Sequence, residues 1–331
     1  MKDRTVLVVG GAGYVGSVLV ARLLSAGAQV RVLDNLIYDN GFSLQHLLDD
    51  ERVTFQRGDL RDHRVFERAA QGATDVVLLA ALVGDPICKK YPELATSINV
   101  DGARGILDRL DGLGVERFVF TSTCSNYGIH DPNRLADETS TLNPQSLYAQ
   151  TKVDVEQSVL ERSRGADCAM TVLRIATAYG MSARMRFDLT VSQFVRELAS
   201  GKSLLVYDAD TWRPYCHVAD ISKAIMTVLQ AAPSLVDSEV FNVGDEGQQF
   251  TKRMIVEEAT KHLEQVDVAY RSGDTDPRNY RVGFSKIADR LGFTCDRSVQ
   301  SYVPMLTTAV QAGVFAGADE QRFGNYEVRV V

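Results

Sequence analysis

The sequence predicts an α/β protein with a doubly wound parallel sheet, followed by a smaller C-terminal α/β portion. Short apolar runs rich in β-branched residues recur along the first half of the chain, and helical stretches separate them. Strands that are apolar throughout are typical of a parallel sheet covered on both faces, and their alternation with helices favours right-handed crossovers. The predicted strands are residues 5–9, 30–33, 53–56, 76–80, 118–121 and 170–174, and the predicted helices are residues 14–25, 98–110 and 149–162.

The second half of the chain has a looser pattern. Helical pieces at residues 188–199, 221–231 and 251–262 alternate with loops rich in Arg, Tyr, Asp and Gly. We therefore predict a first domain over residues 1–175 and a covering portion over residues 176–331. The second portion is expected to return some segments to the main sheet, so the two are partly interleaved.

The composition argues against several classes of protein. The 331 residues contain 36 Lys and Arg against 43 Asp and Glu, a formal net charge of -7, which gives no sign of a nucleic-acid binder. No run of about 18 apolar residues occurs, so we expect neither a membrane span nor a signal peptide. The five scattered cysteines have no metal-binding spacing, so we expect no metal and a cytoplasmic location.

A glycine-rich turn follows the first predicted strand and opens the first predicted helix. In this turn Gly10 permits a tight bend, Gly13 lets the backbone approach a diphosphate, and Gly16 allows close packing of helix and strand. The helix N-terminus, with Tyr14 and Val15, offers unpaired N–H groups and a positive dipole end. The turn therefore predicts a dinucleotide site, and residues 1–175 form a Rossmann domain.

An acidic residue ends the second predicted strand. The Asp34 carboxylate can accept hydrogen bonds from both ribose hydroxyls and would repel a 2′-phosphate, which favours NAD over NADP. Asp59, after the third strand, could meet the adenine edge in the same way. Either acid could instead cap a helix or turn. The other predicted cofactor contacts beside these strand ends are Asn35, Leu60, Ala80 and Ala81.

A tyrosine and a lysine four residues apart open the helix predicted at residues 149–162. Tyr148 and Lys152 project from one helical face, and Thr123 lies at the end of an apolar strand. Oxidation of an alcohol needs a base for the hydroxyl proton, but a free tyrosine ionises near pH 10. A lysine ammonium and a nicotinamide cation would lower that value, and the threonine hydroxyl can hydrogen-bond the substrate oxygen. We predict Thr123, Tyr148 and Lys152 as catalytic residues.

Four segments together resemble the nucleotide-sugar epimerase/dehydratase family of extended short-chain dehydrogenases/reductases. They are GGAGYVG at 10–16, TSTCSNYG at 121–128, YAQTK at 148–152 and RPYCHVAD at 213–220, and the resemblance continues to DPRNY at 276–280. It implies NAD as cofactor, Tyr148 as base and Lys152 as the residue that orients it. It also implies that Arg213 and Arg278 grip the nucleotide diphosphate, that Asn99 supports the active-site helix and cofactor, and that the protein is a homodimer.

Two further stretches resemble a subgroup that acts on GDP-activated heptoses and octoses. They are ALVGDP at 81–86 and SARMRFD at 182–188, and they favour a GDP-sugar as substrate. Arg184 and Arg186 could enclose the sugar and its phosphates, or could belong to a solvated loop. The predicted substrate contacts are Val83, Cys124, Ser125, Asn126, Thr177, Arg184, Arg186, Arg213 and Arg278.

The sequence also departs from the family pattern. Dehydratases of the family carry Asp and Glu directly after the catalytic threonine, whereas this chain has Cys124 and Ser125, so water elimination lacks its usual proton donor. Cys124 could act as a weak acid or base, or could be a small packing residue. Thr177 replaces an asparagine of many relatives. We interpret His217 as a satisfied hydrogen-bonding residue, because Tyr148 already supplies the base.

These observations predict an NAD-dependent nucleotide-diphosphate-sugar 4-epimerase that works through a transient 4-keto sugar. The first alternative is a 4-dehydrogenase or 4-ketoreductase, which shares the first step but releases or consumes the ketone. The alternative from another class is a non-catalytic dinucleotide-binding module. Such a module has no need for Thr123, Tyr148 and Lys152 together.

Overall fold

The computed structural model describes residues 1–131, 133–273, 278–316 and 320–329. Asp276 and Pro277 of the DPRNY segment lie outside the described residues. The strands are β1 Thr5–Val9, β2 Gln29–Asp34, β3 Val53–Arg57, β4 Asp75–Leu78, β5 Arg117–Thr123, β6 Leu135–Ala136, β7 Ala169–Ile175, β8 Thr177–Tyr179, β9 Leu204–Tyr207, β10 Trp212–His217, β11 Glu239–Val243, β12 Gln249–Thr251, β13 Val268–Arg271 and β14 Arg281–Val282. The α-helices are α1 Tyr14–Ser25, α2 His63–Ala70, α3 Asp85–Lys90, α4 Pro92–Thr96, α5 Ala103–Leu107, α6 Leu147–Ser163, α7 Thr190–Ala199, α8 Val218–Gln230, α9 Pro233–Val236, α10 Lys252–Thr260, α11 Ser285–Leu291 and α12 Val299–Gln311.

The main sheet has seven parallel strands in the order β11-β7-β5-β4-β1-β2-β3. The order reverses between β1 and β4, because the chain runs outward through β2 and β3 and then crosses back to the other side of β1. In doubly wound sheets ligands bind at the carboxyl edge of this switch point. The predicted doubly wound parallel sheet is therefore confirmed.

Two apolar clusters cover the two faces of the main sheet. Alternate residues of β1 divide between them: Val6 and Val8 face one cluster with α1 and α8, and Leu7 and Val9 face the other with α2 and α6. All four side chains are at most 1% exposed. Burial on both faces explains why the strand sequence is apolar throughout.

The C-terminal half supplies a third apolar cluster and a smaller α/β layer. Helices α7, α10 and α12 pack together, and a three-stranded sheet in the order β12-β10-β8 lies beside them. Two short parallel pairs, β13 with β9 and β14 with β6, complete this portion. The division near residue 175 stays a prediction, since β11 joins the main sheet beside β7.

Most predicted elements agree with the structure to within three residues, with one clear exception. The helix predicted to begin at residue 98 begins at Pro92, and it contains a π-helical turn at Ser97–Gly102 before it ends at Leu107. Proline fits the first turn of a helix because its missing N–H has no partner there in any case. Among the described helices, none has the length and apolar composition needed to cross a membrane.

Candidate active site and cofactor cleft

A cleft opens at the carboxyl edge of the main sheet, above the switch point between β1 and β4. The structure brings most of the predicted site residues onto its walls, from elements as distant as the first glycine turn and residue 278. The predicted residues that line the cleft are Gly10, Gly13, Tyr14, Val15, Gly16, Asp34, Asn35, Leu60, Ala80, Ala81, Val83, Thr123, Ser125, Tyr148, Lys152, Thr177, Arg184, Arg186, Arg213 and Arg278.

The turn between β1 and α1 has the geometry of a phosphate site. Gly10 has a φ of +90°, and a Cβ there would lie 2.7 Å from the backbone nitrogen of Ala80. A Cβ on Gly16 would overlap the backbone of Gly10. Gly13 caps α1 without a side chain, so nothing occupies the N–H groups of the first turn. Those groups and the helix dipole are available to the diphosphate of a dinucleotide.

Asp34 lies at the carboxyl end of β2, at the rim of this turn. Its carboxylate accepts hydrogen bonds from the backbone N–H groups of Ala12 at 3.0 Å and Leu36 at 2.8 Å. Burial raises the pKa of Asp34, while these two hydrogen bonds oppose the rise. The fixed carboxylate beside an open helix N-terminus fits the adenosine ribose of NAD.

Asn35 and Asp59, which were also predicted to contact the cofactor, differ in their position relative to the cleft. Asn35 lines the cleft and accepts the N–H of Ile37 at 3.0 Å. Asp59 pairs instead with Arg61 at 2.6 Å and does not line the cleft. Asp59 therefore serves a local turn, which was the alternative considered from the sequence.

Helix α6 carries the predicted base and its lysine. The hydroxyl of Ser146 caps the helix by accepting the N–H of Ala149. Tyr148 is half-buried on the cleft wall, and Lys152 is 4% exposed. The Lys152 ammonium donates to the carbonyl of Thr121 at 2.8 Å and lies 4.7 Å from the centre of the Phe120 ring. These contacts fix the ammonium beside the end of β5.

Burial changes the ionisation of both groups. It lowers the pKa of Lys152 to about 8. It also raises the pKa of the Tyr148 phenol, and the nearby Cys88 and Asp85 raise it further. Each shift favours the neutral side chain. The phenol is therefore protonated at neutral pH before another positive charge enters the cleft.

Asn99 holds α6 in place without lining the cleft. Its side-chain oxygen accepts the N–H of Leu82 at 2.7 Å, and its amide nitrogen donates to the carbonyl of Leu82 at 3.1 Å. The same nitrogen donates to the hydroxyl of Thr151 at 3.2 Å. Asn99 thus links the loop after β4 to the helix that bears Tyr148, and its predicted support of the cofactor stays a prediction.

The short 3₁₀ turn Cys124–Tyr127 directs neighbouring side chains in different directions. Thr123 and Ser125 line the cleft, and the Thr123 hydroxyl accepts the N–H of Ser125 at 3.1 Å. Cys124 and Asn126 are buried behind the wall. The structure therefore corrects the prediction of Cys124 and Asn126 as substrate contacts.

The buried pair has its own hydrogen bonds. The Cys124 thiol donates to the carbonyl of Arg174 at 3.2 Å, and burial raises its pKa, so it remains a neutral thiol. The Asn126 amide donates to the hydroxyl of Ser122 at 3.0 Å and to Glu156 at 3.3 Å. Cys124 is therefore the small packing residue that the sequence left as one alternative.

Two arginines line the part of the cleft beside Thr123 and Tyr148. The buried Arg213 guanidinium donates to the carbonyl of Trp212 at 2.7 Å and lies 5.2 Å from the centre of the Tyr280 ring. Arg278 pairs with Asp85 at 2.8 Å and donates to the Ser125 hydroxyl at 3.4 Å. Two guanidinium groups in one wall can bind a diphosphate.

Several cleft residues were missed by sequence reasoning. Asp85 is the notable one, because it is a carboxylate that also accepts a hydrogen bond from Ser146 at 2.6 Å. Asp85 lies in the segment ALVGDP at 81–86, which was considered only for its resemblance to a subgroup of the family. No local sequence pattern indicates that its carboxylate lines the cleft. The other lining residues that were missed include Tyr38, Asn40, Tyr215, Lys252 and Asn325.

His217 is the N-terminal cap of α8. The Nδ1 of His217 accepts the N–H of Ala219 at 3.1 Å and so caps α8, while its ring packs edge-on against Tyr179. Burial lowers the pKa of His217 to about 4, so it is neutral at physiological pH. Within the described ranges no group of three or more His, Cys, Asp or Glu side chains could hold a metal ion.

Comparison with known proteins identifies the family. The profile of the NAD dependent epimerase/dehydratase family matches residues 6–244. UDP-glucose 4-epimerase of Corynebacterium glutamicum is 30% identical over 306 residues, which cover 87% of this chain and 90% of that protein. UDP-glucuronic acid decarboxylase 2 of Arabidopsis thaliana is 26% identical over 96% of this chain and 71% of its own length.

Solved structures agree with this result. The crystal structure of UDP-glucose 4-epimerase of Thermotoga maritima with UDP-glucose is 25% identical and matches with a TM-score of 0.81, over 94% of this chain and 99% of that one. That of the Thermus thermophilus UDP-glucose 4-epimerase in complex with NAD is 26% identical, with a TM-score of 0.79 over 93% and 99%. The chain described here belongs to the NAD dependent epimerase/dehydratase family of enzymes.

Proposed function

We propose that the protein is an NAD-dependent nucleotide-diphosphate-sugar 4-epimerase that works through a transient 4-keto sugar. The observation that carries this proposal is a single cleft with a phosphate-binding turn at one end and Thr123, Tyr148 and Lys152 at the other. The relatives named as UDP-glucose 4-epimerases support the same reaction.

Thr123, Tyr148 and Lys152 have separate roles in the oxidation and reduction of the sugar at C4. The glycine turn at residues 10–16 and Asp34 would hold NAD, which would supply the acceptor for the C4 hydride and the donor that returns it. Tyr148 takes the proton of the C4 hydroxyl, and the Lys152 ammonium stabilises the resulting phenolate. The Thr123 hydroxyl hydrogen-bonds the C4 oxygen while that oxygen becomes a carbonyl. Inversion follows when the keto sugar turns over before reduction.

The arginines of the cleft suit a substrate that is held by its diphosphate. Arg213 and Arg278 offer charge-assisted hydrogen bonds to phosphate oxygens, whereas the sugar needs freedom to turn. The names of the relatives are mostly those of UDP-sugar enzymes, and the GDP-heptose subgroup has no support from them. We therefore take a nucleoside-diphosphate sugar as substrate, and the GDP preference stays a prediction, as do the homodimer and the cytoplasmic location.

The position after Thr123 argues against a dehydratase. A dehydratase needs an acid there to protonate the leaving hydroxyl, but Cys124 is a buried thiol with a raised pKa that donates to a backbone carbonyl. Of the two carboxylates among the described residues that line the cleft, Asp34 ends β2 at the phosphate-binding turn and Asp85 pairs with Arg278. Among the described residues, the two positions directly after Thr123 therefore carry no carboxylic acid that could protonate a leaving hydroxyl.

The reaction can be separated from its alternatives by NMR. We expect catalytic amounts of the purified protein, without added NAD, to convert a UDP-hexose or a GDP-hexose into a mixture of both C4 epimers. A dehydrogenase or ketoreductase would instead change the amount of reduced cofactor in proportion to a 4-keto sugar. That result, with no second epimer, would reject the proposal.

The role of the phenol has a direct test. Tyr148→Phe should lower kcat by about two to four orders of magnitude, the usual contribution of a general base, while NAD content stays near normal. Tyr270→Phe is a matched control, because Tyr270 is an exposed tyrosine of β13 outside the cleft. Equal turnover by Tyr148→Phe and Tyr270→Phe would contradict the assignment of Tyr148 as base. A non-catalytic dinucleotide-binding module would show no turnover with either variant or with the natural protein.

A further inference from the structure

Arg184 is a buried cation whose partners are all neutral. Its side chain is 2% exposed, and its guanidinium donates to the carbonyls of Met185 and Gly324 and to the side-chain oxygen of Asn325. Within the described residues it forms no ion pair, and Asp188 of the same loop is occupied by Arg186 at 2.6 and 2.9 Å. A buried charge without a counterion is costly, so this position calls for an anion.

The loop that carries Arg184 is hydrogen-bonded to the first turn of α1. The Tyr14 hydroxyl donates to the carbonyl of Gly180 at 2.6 Å, and the Ser182 hydroxyl donates to the carbonyl of Tyr14 at 2.8 Å. The hydroxyls of Ser17 and Ser182 lie 2.9 Å apart. These contacts place the loop that carries Arg184 against the first turn of α1, whose N-terminus is the expected site of the cofactor diphosphate.

The aromatic neighbour of Arg184 also belongs to the cofactor end. The guanidinium carbon lies 5.4 Å from the centre of the Tyr38 ring, within cation–π distance. Tyr38 follows β2, the strand that ends in Asp34, and all three residues line the cleft. Asp34 is also close enough for the charge of Arg184 to lower its pKa.

The C-terminal segment, residues 320–329, holds Arg184 in this position. Asn325 accepts one hydrogen bond from Arg184 and donates another to the carbonyl of Val83 at 3.0 Å. At the far end of the segment, the N–H of Arg329 donates to the carbonyl of Ile37 at 2.8 Å. The segment therefore bridges the loops that follow β2 and β4, which flank the switch point on opposite sides.

We infer that Arg184 binds the diphosphate of the dinucleotide cofactor and that Gly324 and Asn325 of the C-terminal segment position it there. This reassigns Arg184, predicted as a substrate contact, to the cofactor. The diphosphate supplies the counterion that the buried guanidinium otherwise lacks. The cofactor then leaves only when this contact breaks, which suits an enzyme that uses one bound NAD in every turnover. The inference depends on the cofactor of the proposed function and not on its reaction.

The test measures release of NAD in the absence of any sugar. The full-length protein is loaded with NAD, separated from free nucleotide and diluted, and the NAD that remains bound is measured by chromatography over time. We expect Arg184→Gln to release NAD at least about tenfold faster than the natural protein, and Asn325→Ala about threefold faster, because the alanine leaves the charge but loosens its position. Arg184→Lys, which keeps the charge, should fall between Arg184→Gln and the natural protein.

Arg253→Gln is the matched control for charge removal. Arg253 pairs with Asp210 at 2.7 Å on the surface and does not line the cleft. The Arg253→Gln variant should therefore release NAD at the rate of the natural protein. Retention of NAD by Arg184→Gln at the natural rate would overturn the inference. Loss of affinity for UDP and GDP alone would also overturn it, since Arg184 would then serve the substrate. Failure of the 4-epimerase proposal would not affect this assay, because it contains no substrate.

Discussion

The buried ion pair between Glu156 and Arg174 gives a sharp prediction about how the catalytic helix is held. Glu156 lies on α6, one turn beyond Lys152, and Arg174 lies on β7. The two side chains form an ion pair and are 2% and 5% exposed. The second carboxylate oxygen accepts the hydroxyl of Ser122 at 2.9 Å. This network joins the helix of the base to the strand that ends at Thr123.

Glu156→Gln keeps the size of the side chain but removes its charge. The Arg174 cation then remains buried without a counterion, and loss of one partner of such a pair costs about 3–5 kcal/mol. An unfolding entropy of about 2.1 cal/mol/K per residue over 331 residues converts this to a decrease in Tm of about 4–7 °C. Removal of both charges in Glu156→Met/Arg174→Met should restore a large part of the loss.

The assay is thermal unfolding followed by circular dichroism, with a surface pair as control. Glu116→Gln removes an exposed carboxylate that pairs with Arg4 at 2.7 Å, and we expect a loss below about 1 kcal/mol. The reasoning would be refuted if Glu156→Gln and Glu116→Gln had the same Tm. It would also be refuted if Glu156→Met/Arg174→Met had a lower free energy of unfolding than Glu156→Gln by a further ~3–5 kcal/mol, because removal of both charges should recover stability.

Three further outcomes follow from the site. Gly16→Ala should abolish NAD binding in a titration, because its Cβ would overlap the phosphate-binding turn, whereas Gly165→Ala has open space and should bind normally. Asp34→Ser should reduce the preference for NAD over NADP by about tenfold or more in competitive binding, since the carboxylate that repels a 2′-phosphate is lost. Burial lowers the pKa of His217 to about 4 from 6.5, so the unfolded state binds the proton more tightly and the free energy of unfolding should fall by up to ~3 kcal/mol as pH decreases from 6.5 to 4. His217→Asn, which can still cap α8, should lack this part of the pH dependence in denaturant titrations.

The elements that could be predicted from the sequence are those whose signals are local. The bounds of β1 and α1 agree with the prediction, because an apolar run, three glycines and a helical stretch follow one another within 25 residues. Tyr148 and Lys152 were predicted from their spacing of four residues, which fixes a common helical face, and from their position after the glycine-rich turn and the strand end at Thr123. The cofactor could therefore be predicted without a structure, while the assignment of Tyr148 as base stays a prediction.

The rest depends on pairing between distant segments. The seventh strand of the main sheet, Glu239–Val243, was not identified, because it is only five residues long, two of them are polar, and its partner is β7, more than 60 positions earlier. Cys124 and Asn126 were predicted as substrate contacts from their place after a strand end, but both side chains are buried in a 3₁₀ turn that no local pattern had indicated. Asn325 reaches the cleft only through long-range contacts with Arg184 and Val83, which no local pattern reveals.

The ionisation of the catalytic pair connects the chemistry with retention of the cofactor. Burial raises the pKa of Tyr148 and lowers that of Lys152 to about 8, so both side chains are shifted toward neutrality in the protein alone. A phenol in that state is a poor acceptor for the proton of an alcohol. The positive charge of an oxidised nicotinamide near Tyr148 would lower the pKa of the phenol against the effect of burial, so the base would become competent with the cofactor bound. An enzyme whose base depends on its cofactor gains from holding that cofactor between turnovers, and the buried cation of Arg184 beside the phosphate-binding turn gives the protein a physical means to do so.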